Sequence, residues 1–346
     1  METKIIRMDE EHIDEQAIEE AGSIIRRGGL VAFPTETVYG LGGDALNGAS
    51  SARIYSAKGR PSDNPLIVHI ADMEALTPIV EQVPEAAYKL ADRFWPGPLT
   101  MIFRKAQCVP RETTGGLDTV AVRMPSNKIA RALIRAAGGY IAAPSANLSG
   151  RPSPTFAKYV IEDMTGRIDM ILDGGGSDIG LESTILDLTG EAPTILRPGY
   201  ITEELLREVI GGVELDAGSI DETSGQAPKA PGMKYRHYAP KGVLTIVEGD
   251  TDRVTEYISG QLAKCRREGK KTGVLAQVET AEGYPADSVK VLENEKAAAK
   301  GLFAALREFD EENVQVIYAE AFRETGVGRA VMNRLLKAAG HQVVHV

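Results

Sequence analysis

From residue 243 onward, short apolar runs alternate with longer amphipathic ones, and this alternation narrows the fold more than any other feature. Strands are expected at 243–247, 271–276, 289–292, 314–318 and 342–346, with helices at 251–268, 294–309 and 328–339 between them. Strands joined through helices pair in parallel by crossover, so residues 241–346 predict a small parallel sheet with helices on both faces.

The first part of the chain mixes the same periods less regularly. Ile13, Ala17, Ile18, Ala21, Ile24 and Ile25 put an apolar stripe on a helix over 12–27, which Gly28 and Gly29 stop. Strands are expected at 30–33, 66–70, 99–103, 119–124, 140–143, 168–173, 183–188 and 193–196. Helices are expected near 50–57, 84–93, 127–137, 155–163 and 203–210. This predicts a mixed α/β domain over 1–212. Residues 213–240 read as a Pro/Gly-rich linker by composition. Its end carries Lys234, Tyr235, Arg236, His237 and Tyr238, an odd set for a passive tether and a candidate active-site lid.

The net charge is −10. Residues 1–240 hold 33 acidic and 24 basic side chains, which disfavours general RNA or DNA binding, because non-specific affinity comes from neutralising phosphates. Cations nevertheless recur in the loops as Lys58, Arg60, Arg123, Arg151, Arg197 and Arg236, suiting a small anionic ligand. Cys108 and Cys265 stand apart, without zinc-ligand spacing. No apolar run is long enough to span a bilayer and Met1-Glu2-Thr3-Lys4 lacks a signal region, so the expected address is cytoplasmic.

Two loops carry the chemistry. Lys58-Gly59-Arg60-Pro61 offers two cations beside a stiffening proline, and Pro144-Ser145-Ala146-Asn147-Leu148-Ser149-Gly150 offers hydroxyls and an amide after an apolar run. A cationic loop with a neutral donor loop suits a polyphosphate. Gly40-Leu41-Gly42-Gly43-Asp44-Ala45 lies too far past the 30–33 strand to be a dinucleotide fingerprint and reads as a Gly-rich turn. Pro34-Thr35-Glu36-Thr37 reads as hydroxyl-rich turn chemistry, and His69 as a core histidine. Arg123 and Arg197 each end a β-rich run, where an arginine calls for a carboxylate or phosphate partner. Gly326-Val327-Gly328 before the last helix reads as N-terminal capping.

Taken together these segments resemble the YrdC-like threonylcarbamoyl-AMP synthases, in the long two-domain form. The resemblance rests on the Lys58/Arg60 and Ser145/Asn147 pairs and on the ordered motifs around them, from residue 29 to 199. It implies a YrdC-like twisted mixed sheet with helices around a concave cationic pocket, followed by a Rossmann-like parallel domain. It implies that L-threonine, bicarbonate and ATP give L-threonylcarbamoyl-AMP and pyrophosphate, with Mg²⁺ carried on the ATP, no protein-built metal site and no organic cofactor. Lys58, Arg60, Ser145 and Asn147 would be catalytic. Lys58, Arg60, Ser62, Thr119, Ser145, Asn147, Ser153, Arg197 and Tyr238 would bind ATP. Thr35, His69, Arg123, the Ala143 carbonyl and Ser183 would bind threonine. Downstream tRNA threonylcarbamoyl transferase proteins would consume the product, with tRNA contact weak or indirect. The rival readings are a carbamoyl-adenylate-forming carbamoyltransferase, disfavoured by the missing zinc-type cysteine pairs, and a non-catalytic RNA-binding module, disfavoured by the charge.

Overall fold

The computed structural model describes residues 2–216, 228–231 and 237–346. The first elements are β1 (Lys4–Arg7), α1 (Glu15–Arg26), β2 (Val31–Phe33), β3 (Gly40–Asp44), α2 (Gly48–Lys58), β4 (Ile67–His69), α3 (Glu85–Phe94), β5 (Leu99–Arg104), β6 (Thr119–Arg123), α4 (Lys128–Ala136) and β7 (Ile141–Ala143). Then come α5 (Ala157–Met164), β8 (Met170–Asp173), β9 (Thr184–Asp187), β10 (Thr194–Arg197), α6 (Glu203–Ile210) and β11 (Glu214–Leu215). The last are β12 (Val243–Glu248), α7 (Thr251–Arg267), β13 (Thr272–Ala276), β14 (Ser288–Val291), α8 (Glu295–Glu311), β15 (Val316–Glu320), α9 (Gly326–Ala338) and β16 (Val343–His345). They fall into two compact units, Met1–Ser149 with Ser153–Tyr235, and Gly150–Pro152 with Arg236–Val346.

Among the described residues of the N-terminal unit eleven strands pair in the order β1-β8-β2-β3-β7-β4-β6-β5-β9-β10-β11. β4 and β6 are parallel, while β7 and β5 flank them antiparallel. Side chains alternate across the pleat and build a core on each face. On one face Phe33, Ile141 and Leu172 pack against α1 and α4 through Ile18, Ile25, Ile129 and Leu133. On the other, Ala32, Val68, Met101, Val122 and Ala142 join the larger cluster. Asp14 starts α1 by accepting a hydrogen bond from the Ala17 amide, so the helix begins after Ile13 rather than at residue 12.

The glycine-rich segment is a strand, not the expected turn. β3 pairs with β2 and β7. A Cβ on Gly40 would lie 2.9 Å from Phe33 Cζ, and one on Gly42 2.7 Å from Ile141 Cγ2, so these glycines make room for neighbouring core side chains rather than for phosphate. Parts of 213–240 also have definite structure. β11 pairs with the end strand β10, and Ala230 is fully buried with Ile67, Ile102, Ala121, Ile185 and Leu196. Lys234, Tyr235 and Arg236, on which the lid reading depends, lie outside the described residues.

The C-terminal unit is the expected parallel sheet, in the order β14-β13-β15-β12-β16. Val274, Ala276 and Tyr318 pack with Val254, Ile258 and Leu262 of α7. Gly273 points to the opposite face, where a Cβ would come within 2.6 Å of Phe309 on α8. Helices therefore cover both faces. Among the described residues no helix is long and apolar enough to cross a membrane.

Candidate active site

Strand register places His69, Thr119, Arg123 and Ala143, of the predicted residues, on one face of the large sheet. Arg123 pairs with His69 on β4 and with Thr100 on β5, so the three side chains share a face. Thr119 and Ala121 precede Arg123 on that face at period two, Ile67 lies beside Ala121, and Ala143 lies beside Ile67 one strand further on. Ile67, Ala121, Ile102 and Ile185 form its apolar floor. Thr119, half-buried, stands at the start of β6, and Arg123 stands at its carboxyl end. Four residues of extended chain put these two roughly 13 Å apart.

The polyphosphate end is built by two loops that meet. Gly59 takes a left-handed C-cap (φ 62°), which ends α2 just after Lys58 and turns the chain into Arg60. Lys58 is 2% exposed and donates to the carbonyl oxygens of Ser145 at 2.5 Å and Asn147 at 2.6 Å. In return the Ser149 amide donates to Lys58 O at 2.9 Å. Ser145 Oγ donates to Asn147 Oδ1 at 2.5 Å, and Asn147 Nδ2 donates to Leu148 O. The guanidinium of Arg60 rests on the carbonyls of Asn64 and Pro65 at 3.3–3.4 Å, and Ser62 is exposed. Asn64, not singled out in the sequence, is 1% exposed, with neither amide atom hydrogen-bonded.

The other end centres on Arg123. Its Nε donates to Gly97 O (3.3 Å), Nη1 to Thr37 Oγ1 (2.8 Å) and Nη2 to Glu36 Oε1 (2.6 Å). Both charged side chains are almost fully buried. Thr35 builds the turn that presents these partners. Its hydroxyl accepts from the Thr37 and Val38 amides, donates to Val38 O at 2.6 Å and lies 2.9 Å from Thr37 Oγ1. The predicted threonine-sensing hydroxyl is thus engaged within its own turn. His69 Nδ1 lies 3.1 Å from Ile67 O, and its ring meets Phe33 edge-on. Burial, and secondarily the Arg123 cation, lowers its pKa to about 3, so the imidazole is neutral.

Ser183 and Arg197 complete this face. Ser183 Oγ is 2.7 Å from Thr100 Oγ1. A register shift between Ile195 and Arg197 pairs Arg197 with Ile185 and turns its guanidinium onto the Ser183 carbonyl at 2.9 Å. Arg197 also donates to Pro231 O at 3.2 Å. Ser153 donates to Glu182 at 2.7 Å. Tyr238 belongs to the C-terminal unit, at φ 65°, with its ring 4.9 Å from Phe303. The sequence reading missed Glu36, Thr37, Asn64, Thr100 and Glu182. The need of Arg123 for a carboxylate was the one signal that could have found Glu36. Among the described residues no cluster of three or more His, Cys, Asp or Glu could hold a metal ion.

This architecture, a mixed sheet with a hydrogen-bonded Lys-x-Arg and Ser-x-Asn loop pair, defines a Sua5/YciO/YrdC-type α/β protein. Residues 23–199 match that family, described as "Telomere recombination", and residues 201–340 match the threonylcarbamoyl-AMP synthase C-terminal domain. The chain belongs to the threonylcarbamoyl-AMP synthase family. It is 50% identical to the synthase of Pyrococcus abyssi over 97% of this chain and 98% of the relative. It is 48% identical to that of Bacillus subtilis, over 97% and 96%. The solved structure of P. abyssi Sua5 complexed with L-threonine is 49% identical, covers all of both chains and superposes with a TM-score of 0.93.

Proposed function

We propose that this chain condenses L-threonine, CO₂ derived from bicarbonate, and ATP into L-threonylcarbamoyl-AMP and pyrophosphate. The observation that carries this reading is the buried Arg123, poised with neutral His69 at one end of a sheet face whose other end leads to the Lys58 loops. The threonine amine adds to CO₂ and loses a proton, giving a carbamate. A carbamate oxygen then attacks the α-phosphorus of ATP and pyrophosphate leaves. Both reactants are anions, so catalysis consists of charge neutralisation and alignment.

Lys58 and Arg60 would neutralise phosphate, and Ser145 and Asn147 would orient it. Ser62, Thr119, Ser153, Arg197 and Tyr238 would complete the nucleotide contacts. Arg123 would take the threonine carboxylate, the Ala143 carbonyl its amine, and Thr35, His69 and Ser183 would shape the side-chain pocket. Mg²⁺ would enter with the phosphates, which supply the oxygen ligands it prefers. Partner transferase proteins in the cytoplasm would pass the product to tRNA beside the anticodon, leaving tRNA contact by this chain indirect.

Pyrophosphate release tests the reading. It should require both threonine and bicarbonate. Release that ignores threonine, or that proceeds only with carbamoyl phosphate, would exclude it in favour of a different acyl donor.

A further inference from the structure

The charge balance around Glu36 is incomplete. Its side chain is 6% exposed and one oxygen, Oε1, accepts from Arg123 Nη2 at 2.6 Å. The other, Oε2, is buried and has no hydrogen-bond partner. A buried carboxylate oxygen left bare carries its full desolvation penalty, and such an atom in a folded protein needs an explanation. Arg123 has each of its three nitrogens engaged, which leaves one N–H on each terminal nitrogen for a ligand. His69, the next titratable group, is neutral. Among the described residues the charged side chains in direct contact here are one cation, Arg123, and one anion, Glu36, while Arg197 lies further along the face on the Ser183 carbonyl. A neutral pair with spare donors on the cation and a spare acceptor on the anion is the complement of a zwitterion. An α-amino acid carries its carboxylate and ammonium on one residue, and Arg123 and Glu36 are likewise adjacent, Nη2 to Oε1 at 2.6 Å.

We infer that Glu36 is the charged acceptor for the α-ammonium group of the amino-acid substrate, its bare Oε2 taking an N–H while Arg123 takes the ligand's carboxylate. This rests on the proposal that threonine's carboxylate goes to Arg123. The Ala143 carbonyl can accept a second N–H of the same ammonium, which has three to give. Glu36 also sets direction: a triphosphate entering this end would meet its anion, whereas the Lys58 end presents cations and neutral donors. A binding site for the carboxylate alone would need no buried anion beside its arginine.

The test pairs ligand and protein changes. Binding is measured by calorimetry for L-threonine and for the 2,3-dihydroxybutanoate of matching configuration, in which a hydroxyl replaces the amine. Wild type should bind threonine at least about tenfold more tightly, as expected for a hydrogen bond between charged groups. Glu36→Gln should lose roughly ten- to a hundredfold in threonine affinity while the hydroxy acid changes by less than about threefold. Equal losses for the two ligands would mean that Glu36 merely holds Arg123, and would overturn the inference. If Glu36→Gln does not fold, as judged by circular dichroism and melting, the wild-type ligand pair decides: equal affinities overturn it. Arg123→Ala separates the two readings. Unchanged binding of both ligands would remove the carboxylate site and Glu36's role with it. Loss of both ligands, together with no discrimination by Glu36→Gln, would remove only the latter.

Discussion

Glu320, at the end of β15 in the C-terminal unit, has both carboxylate oxygens occupied: the Gln277 amide donates at 2.6 Å and the Tyr284 hydroxyl at 2.5 Å. Burial, and then this bond to Glu320, holds the Tyr284 phenol protonated well above its usual range. Glu36, in the turn after β2 of the N-terminal unit, is also buried but has only one oxygen engaged. The first closes a network of the fold. The second leaves one open, beside an arginine with protons to spare. Where buried charge is fully satisfied it supports structure; where an acceptor is left bare next to neutralised cations, the missing partner is sought in a ligand.

That contrast can be broken at several points. The largest effect is expected from Arg123→Ala, which strands a buried carboxylate. Unfolding free energy should fall by about 3–5 kcal/mol, read from urea denaturation. A loss under about 1 kcal/mol would mean that the pair is not buried in solution. Lys58→Ala removes the ammonium that ties the two loops and should lower the threonine-dependent rate about a hundredfold or more in a folded protein. A near-wild-type rate would detach the loops from the chemistry. Glu320→Gln should behave differently. It should cost about 1–3 kcal/mol of stability while the turnover of the folded fraction stays constant. A selective fall in turnover would erase the distinction between the two glutamates.

His69 supplies a pH test. Its folded pKa, about 3, lies below the ordinary 6.5, so the unfolded chain binds the proton first. The stability it confers is fully present above about pH 6.5 and is lost as pH falls from there toward 3. The slope should approach about 1.4 kcal/mol per pH unit. Urea midpoints between pH 7 and 5 should show that slope in wild type and a shallower one in His69→Gln; parallel curves would place the histidine in contact with water. The smallest effect concerns the substrate. Serine lacks one methyl, so competition assays should show discrimination of about 10- to 200-fold at most. Equal use of the two amino acids would misplace the side-chain pocket.

Much of this was readable before the fold. The Lys58 loop stood out for two cations beside a proline and the Ser145 loop for polar donors after an apolar strand, and the C-terminal alternation predicted its parallel sheet. Arg123 and Arg197 were visible as charges ending β runs. Their partners were less visible, because they come through register. Glu36 reaches Arg123 across 87 residues, Thr100 meets Ser183 across 83, and no local pattern encodes either distance. Gly40 and Gly42 misled for a related reason. Their small size answers the Phe33 ring and Ile141 from other strands, and composition alone reads a glycine run as a turn. Asn64 gave no signal, since its isolation is a property of burial.

The most direct measurement of the central claim is the mass of the nucleotide product formed from ATP, L-threonine and carbon-13 bicarbonate. The N-terminal face should yield an adenylate containing one threonine and the single labelled carbon, with one pyrophosphate released per adenylate, and Lys58→Ala should yield almost none. An adenylate lacking either threonine or the label, or equal product from Lys58→Ala, would contradict the account.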